Sequence, residues 1–170
     1  MSFSLIPDIL LDRYTQLTPA WLKERGISLL LSDLDFTLAP KSVRRPDDTL
    51  KAWIRELQAE GITFVIISNN RSPARVEEYC AELGVSYLGQ AGKPSPRGLL
   101  AAMKEHGVDK GHTAMLGDKL LTDVLAARRA GVLSLMVEPV GGAVTPWQKV
   151  LHALQCPFKA WCAVDLRKEV

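Results

Sequence analysis

Two stretches of this chain, Ile27–Ser32 and Ile62–Ser68, are short, rich in Leu, Ile and Val, and nearly free of polar interruptions. They lack the polar–apolar alternation of a strand with one wet face. A strand of this kind is covered on both sides, so helices must flank the sheet that contains it. Three further strand candidates follow at Val85–Leu88, Thr113–Gly117 and Val132–Val137. Amphipathic segments separate them, and the punctuation is clear. Thr18-Pro19, Ser72-Pro73, Ser95-Pro96 and Thr145-Pro146 each place a hydroxyl before a proline, a good helix start. Gly26, Gly61, Gly84, Gly107 and Gly131 stand where helical patterns stop. Strand alternating with helix predicts an α/β fold: a parallel five-stranded sheet with helices on both faces. The reading is one domain over residues 1–170, with its core at about 27–140, a lead-in helix before it and a helical tail after it.

Composition narrows the class. The chain has 170 residues, 47% hydrophobic and 24% charged, ordinary for a soluble domain. Its net charge of +2 gives no reason to expect nucleic acid. No apolar run is long enough to span a membrane, and the segment from Met1 to Asp8 does not resemble a secretory leader. Cys80, Cys156 and Cys162 are odd in number and show no metal spacing, which suits reduced thiols in the cytoplasm. His106, His112 and His152 are scattered and read as structural.

In open parallel sheets chemistry gathers at the carboxyl ends of strands, where strand order reverses. Asp33 and Asp35 follow the first predicted strand, and Ser68, Asn69 and Asn70 lie at the end of the second. Asp118 follows the fourth, with Asp123 five residues on, and Lys93 precedes the helix that leads into it. Acidic groups, a hydroxyl and a lysine on one edge suit phosphoryl transfer. A phosphate monoester repels an attacking carboxylate unless cations intervene. Carboxylates can hold Mg²⁺, which favours oxygen ligands, and a lysine can neutralise the transferred oxygens.

These residues resemble the haloacid dehalogenase superfamily. Asp33-Leu34-Asp35-Phe36-Thr37-Leu38 matches its DxDxT motif, Ser68 its second motif and Lys93 in Gly92-Lys93-Pro94 its third. The run from Gly117-Asp118 to Asp123 matches the fourth, in the GDxxxxD form. The resemblance implies a three-layer Rossmann-like core. It implies Asp33 as the nucleophile that forms an aspartyl-phosphate and Asp35 as general acid/base. Asp33, the Asp35 carbonyl and Asp118 would hold Mg²⁺, with Asp123 in support. Thr37 would brace the loop at the substrate site, where Ser68, Asn69, Lys93 and Arg71 would bind the phosphorylated substrate. The second aspartate, Asp35, favours phosphatase over dehalogenase chemistry.

Superfamily members often carry a cap domain between motifs. Thirty-five positions separate Asp33 from Ser68 and twenty-five separate Ser68 from Lys93, too few for a cap. An uncapped site admits large or lipid-borne phosphates, or takes a lid from a neighbour in a homo-oligomer. The pattern is most similar to the short bacterial branch called the YqeG family, of subclass IIIA. Its eukaryotic relatives include mitochondrial phosphatidylglycerophosphate phosphatase, which makes that lipid the leading expected substrate. Phe36 departs from the Asn common in that branch. Lys41, Arg44 and Arg45 read as a solvated loop or as a rim for an anionic headgroup. The tail, with Trp147, Phe158, Trp161, Lys149, Lys159, Arg167 and Lys168, either packs on the domain or makes peripheral contact with a membrane. Two alternatives stand beside this reading: a phosphatase of a soluble nucleotide or sugar phosphate, and a phospho-accepting or scaffold module.

Overall fold

The computed structural model describes residues 4–142 and 145–168; Met1–Phe3 of the segment read for a leader lie outside them. The elements are, in order, β1 (Ile9–Leu11), α1 (Pro19–Glu24), β2 (Leu29–Ser32), α2 (Asp48–Ala59), β3 (Thr63–Ile67), α3 (Pro73–Leu83), β4 (Ser86–Leu88), α4 (Arg97–His106), β5 (Thr113–Gly117), α5 (Leu125–Ala130), β6 (Leu133–Val137), α6 (Pro146–Ala160) and β7 (Val164–Asp165). All strand pairs are parallel, in the order β4-β3-β2-β5-β6-β1-β7. The five expected strands are present. Among the described residues the sheet has seven strands, however, because Ile9–Leu11 and Val164–Asp165 extend the β6 edge. Both additions are too short, at three and two residues, to show periodicity. The lead-in expected as a helix is therefore a strand, a 3-10 turn at Tyr14–Gln16 and the six-residue α1.

Alternate residues of the central strands feed two apolar layers. Leu30, Ile66 and Leu116 face one, with Leu50, Trp53, Ile54 and Leu57 of α2 and Val76, Tyr79 and Leu83 of α3. Leu29, Leu31, Val65, Ile67 and Met115 face the other, with Leu99, Ala102 and Met103 of α4 and Ala126, Ala127 and Ala130 of α5. Each fully buried Leu contributes roughly 1.5–3 kcal/mol relative to exposure. This two-sided burial is why the strand sequences are continuous rather than alternating. Trp53 donates its indole N–H to the Leu17 carbonyl at 2.9 Å, fastening α2 to the end of the 3-10 turn.

Two of the four expected hydroxyl-proline starts follow the capping logic. The Thr18 hydroxyl accepts from Trp21 N, and Thr145 accepts from Gln148 N in a reciprocal capping box. Asp47 caps α2 by accepting from Leu50 N at 2.8 Å. Ser72 precedes α3 but makes no side-chain cap bond, and α4 begins at Arg97 with Pro96 rather than Ser95 at the cap position and no side-chain cap bond.

The strand order reverses between β2 and β5. The chain builds outward through β3 and β4 on one side, then returns to add β5 and β6 on the other. The C-terminal ends of β2, β5 and β3 therefore lie side by side, and the residues that follow them converge.

Candidate active site

Asp33, Asp118, Ser68 and Lys93 stand on this edge, each buried. Carboxylate oxygens of Asp33, Asp118 and Asp123 lie within 4.8 Å of one another. Lys93 extends into the group. Its Nζ is 2.8 Å from Asp33 Oδ1 and 2.7 Å from Asp123 Oδ1, with its side chain 1% exposed. The lysine is aimed from behind: Asn69 Nδ2 donates to the Lys93 carbonyl at 2.8 Å, and Lys93 N donates to Asn69 Oδ1 at 2.9 Å. Asn69 thus fixes the backbone of the Lys93 loop, while the Ser68 hydroxyl accepts from Asn70 N at 3.0 Å.

Asp118 enters from β5 and accepts from the Thr37 hydroxyl at 3.2 Å and from Lys119 Nζ at 3.2 Å. Thr37 is fully buried, which makes it a brace between the first and fourth motifs. Asp123 returns to the site through a π-helical turn, Leu120–Val124. Its Oδ2 accepts from Lys119 N at 3.2 Å. The returning side chain sits against Gly117, where any Cβ would overlap the Asp123 carboxylate, and this explains the glycine in the fourth motif.

The electrostatics follow from crowded carboxylates out of water. Burial raises Asp33 above the ordinary carboxylate range, with Lys93 pulling it back and Asp123 adding to the rise. Burial pushes Asp118 up to about 7, with Lys119 opposing and Asp123 and Asp33 reinforcing. For Lys93, burial disfavours the ammonium, but Asp123 and Asp33 outweigh it and hold it charged. Three carboxylates against two ammonium groups leave a negative excess that an additional cation would relieve. An all-oxygen donor set of this spacing fits Mg²⁺, with Asp33, Asp118 and Asp123 as the side chains within reach.

Asp35 stands apart from that group. Its Oδ1 is 2.6 Å from Arg75 NH1, and its Oδ2 accepts from Asn70 Nδ2 at 2.9 Å. Its backbone remains with the first motif. Arg71 is exposed and does not line the cleft, whereas Arg75, one helical turn on, reaches Asp35. Neither Arg75 nor Lys119 fills a fixed position of the four motifs. Arg75 lies four residues before Tyr79 and eight before Leu83, on the buried stripe of α3. A charged residue on an apolar stripe signals an internal partner. Lys119 had no such signal beyond its place beside Asp118.

The site opens as a cleft of about 270 Å³ lined by Asp33, Asp35, Phe36, Lys41, Ser68, Asn69, Asn70, Lys93, Lys119, Thr122 and Asp123. Beside it runs an apolar groove of about 210 Å³ formed by Leu5, Leu120, Leu121, Leu151, Leu154, Gln155 and Phe158, with Lys119 and Thr122 common to both. Of the basic loop, Lys41 reaches the cleft, while Arg45 is 3.3 Å from Glu82 and points elsewhere. No helix among the described residues is long and apolar enough to cross a membrane.

Comparison with known proteins gives the family. Residues 9–131 match the model of the haloacid dehalogenase-like hydrolases. The chain is 32% identical over 138 residues to Probable phosphatase YqeG of Bacillus subtilis, covering 81% of this chain and 80% of that protein. Among solved structures it is similar to the cobalt-bound deoxy-D-mannose-octulosonate 8-phosphate phosphatase of Haemophilus influenzae. That match has 16% identity and a TM-score of 0.58, over 81% of this chain and 92% of that one. The corresponding Moraxella catarrhalis enzyme, in complex with magnesium, phosphate and KDO, has 22% identity and a TM-score of 0.56, over 81% and 90%. These last two likenesses concern the fold. The chain belongs to the haloacid dehalogenase-like hydrolase family, and it is a phosphatase of phosphate monoesters.

Proposed function

We propose that this phosphatase works through an aspartyl-phosphate on Asp33 and that its substrate phosphate is carried on a lipid, with phosphatidylglycerophosphate the leading candidate. The observation that carries the covalent reading is the buried Lys93 bridging Asp33 and Asp123. With Oδ1 held by Lys93, Asp33 attacks phosphorus through its other oxygen. Lys93 and the Ser68–Asn70 turn receive the transferred oxygens, the ammonium offsetting their charge. Asp33, the Asp35 carbonyl and Asp118 would hold Mg²⁺, which would supply Lewis-acid neutralisation of nucleophile and phosphate. Asp35 gives the leaving oxygen its proton and later takes one from water.

The lipid reading rests on the apolar groove that shares Lys119 and Thr122 with the phosphate cleft. An acyl glycerol can lie along the groove while its phosphate reaches Lys93. Leu121, Leu154, Trp147 and Trp161 are large, apolar and exposed, in keeping with a peripheral membrane contact.

The test is phosphate release with Mg²⁺ from p-nitrophenyl phosphate, a nucleotide, a sugar phosphate and phosphatidylglycerophosphate in anionic vesicles. EDTA abolishes release in every case, and folded Asp33→Asn loses about four orders of magnitude in kcat. Turnover by Asp33→Asn at the wild-type rate would sink the nucleophile assignment. A kcat/KM for a soluble phosphate orders of magnitude above that for the lipid would replace the lipid reading with a soluble-metabolite one.

A further inference from the structure

The grip on Asp35 is more elaborate than a solvated acid needs. Both oxygens are engaged, Oδ1 by Arg75 NH1 at 2.6 Å and Oδ2 by Asn70 Nδ2 at 2.9 Å. Arg75 is itself anchored, its NH2 donating to the Val43 carbonyl at 3.1 Å. Its side chain is 14% exposed, against 16% for that of Asp35. One guanidinium therefore ties the first turn of α3 to both Asp35 and the loop that follows it. A fork held at two points leaves the carboxylate little freedom to rotate.

The two half-reactions ask different things of Asp35. In the first, an Asp33 oxygen bonds to phosphorus as the ester P–O bond breaks, and the departing oxygen takes the proton of the Asp35 carboxyl group. In the second, water bonds to phosphorus as the Asp33–phosphorus bond breaks, and the water's proton passes to the Asp35 carboxylate. Two donors on two oxygens are compatible with Asp35 as acceptor. The protonated carboxyl group keeps some acceptor capacity, but it holds a charged donor less strongly than the carboxylate does, so the same grip favours the acceptor form.

We propose that Arg75 is a positioning residue that fixes the Asp35 carboxylate for the second half-reaction, the hydrolysis of the aspartyl-phosphate. This rests on the covalent phosphatase reading above.

The experiment is rapid-quench kinetics on the full chain with Mg²⁺ and p-nitrophenyl phosphate, whose leaving group departs without a proton. Arg75→Gln should release a burst of about one nitrophenolate per site and then turn over slowly, because phosphoenzyme accumulates. Its kcat should fall about tenfold to a hundredfold, the scale of lost proton transfer, while kcat/KM stays nearly unchanged. Arg75→Lys should recover part of the loss. In an Asp35→Asn background, Arg75→Gln should cost nothing further, since the two act through one step. Arg75→Met, which also removes the donor to Oδ1, should show the same pattern and serves if Arg75→Gln does not fold.

The proposal is overturned if kcat stays within about twofold of wild type, or if kcat and kcat/KM fall together without a burst. It is equally overturned if Arg75→Gln costs as much in the Asp35→Asn background as alone, which would make it a loop brace. Failure of the underlying reading looks different: no phosphoenzyme in wild type after acid quench, and wild-type turnover by Asp33→Asn.

Discussion

Among the described residues, two clusters bury a lysine among carboxylates, and they behave oppositely. At the cleft, Lys93 and Lys119 face Asp33, Asp118 and Asp123, so acid exceeds base. At the β6 edge, Lys159 lies 2.7 Å from Glu138, and Arg167 pairs with Glu138 at 2.7 Å and with Asp165 at 2.9 Å. There base exceeds acid, since Lys168 lies 3.7 Å from Asp165 and His152 3.2 Å from Glu138 besides. The carboxylates report the difference. Burial raises Asp33 and Asp118. Burial also works against Glu138, but Lys159, His152 and Arg167 win and hold it below the ordinary range; the Arg167 hydrogen bond does the same for Asp165. The second cluster is a latch, which fastens α6 and the C-terminal residues to the end of β6. The first is left short of positive charge, as a site that takes a metal and a phosphate should be.

The comparison breaks most visibly if the latch is cut. Glu138→Gln leaves Lys159, 5% exposed, without its nearest charge. The expected loss is about 3 kcal/mol in urea unfolding, with kcat/KM for p-nitrophenyl phosphate little changed. Because the folded-state pKa of Glu138 is depressed, its contribution is present above its ordinary value of 4.5 and is lost as pH falls below it.

The cleft should respond in the other direction. Asp118→Asn removes a carboxylate that burial already penalises, so in EDTA the variant should be no less stable than wild type. Mg²⁺ at about a hundred times its dissociation constant should add about 2.7 kcal/mol to wild type and little to Asp118→Asn. Equal gains in both proteins would move the metal away from Asp118. A clear loss of stability in EDTA would make the cleft a latch as well.

What could be read from the sequence follows the reach of each interaction. Asp33, Ser68 and Asp118 are fixed by strands whose apolar runs are local signals, so their convergence follows once the sheet is parallel. The aromatic-basic tail invited a membrane reading because composition cannot say which way a lysine turns. In the structure Lys159 and Arg167 turn inward to Glu138, while Lys149, Trp147 and Trp161 remain exposed. The latch closes between residues 21 and 29 positions apart, with no motif to announce it. Arg75 was hidden for the same reason: its partner Asp35 lies 40 positions away.

Backbone strain separates the two clusters again, on a smaller scale. Among the described residues, the non-glycine positions with positive φ are Phe36, at 63°, and Gln90, at 51°. Phe36 follows Asp35, and Gln90 lies on the loop that delivers Lys93; neither belongs to the latch. An L-residue in this region costs roughly 1–2 kcal/mol, mostly from its Cβ. The Phe36 ring partly offsets this, since it lines the cleft and lies 5.5 Å from Lys119 Nζ. Such a cation–π contact at an exposed site is worth about 0.5–1 kcal/mol. Replacing Phe36 mixes the two effects, so the informative measurement compares two replacements that both lose the ring. Alanine keeps the Cβ and glycine does not. In an unstrained helix glycine is the poorer residue by roughly 0.8–1.0 kcal/mol. Here the order should invert, with Phe36→Gly about 1 kcal/mol more stable than Phe36→Ala in urea unfolding. If alanine is the more stable, Phe36 is not strained, and the contrast between a strained cleft and a relaxed latch fails. If glycine is the more stable but slower in turnover, the ring has a role in the cleft beyond holding the loop.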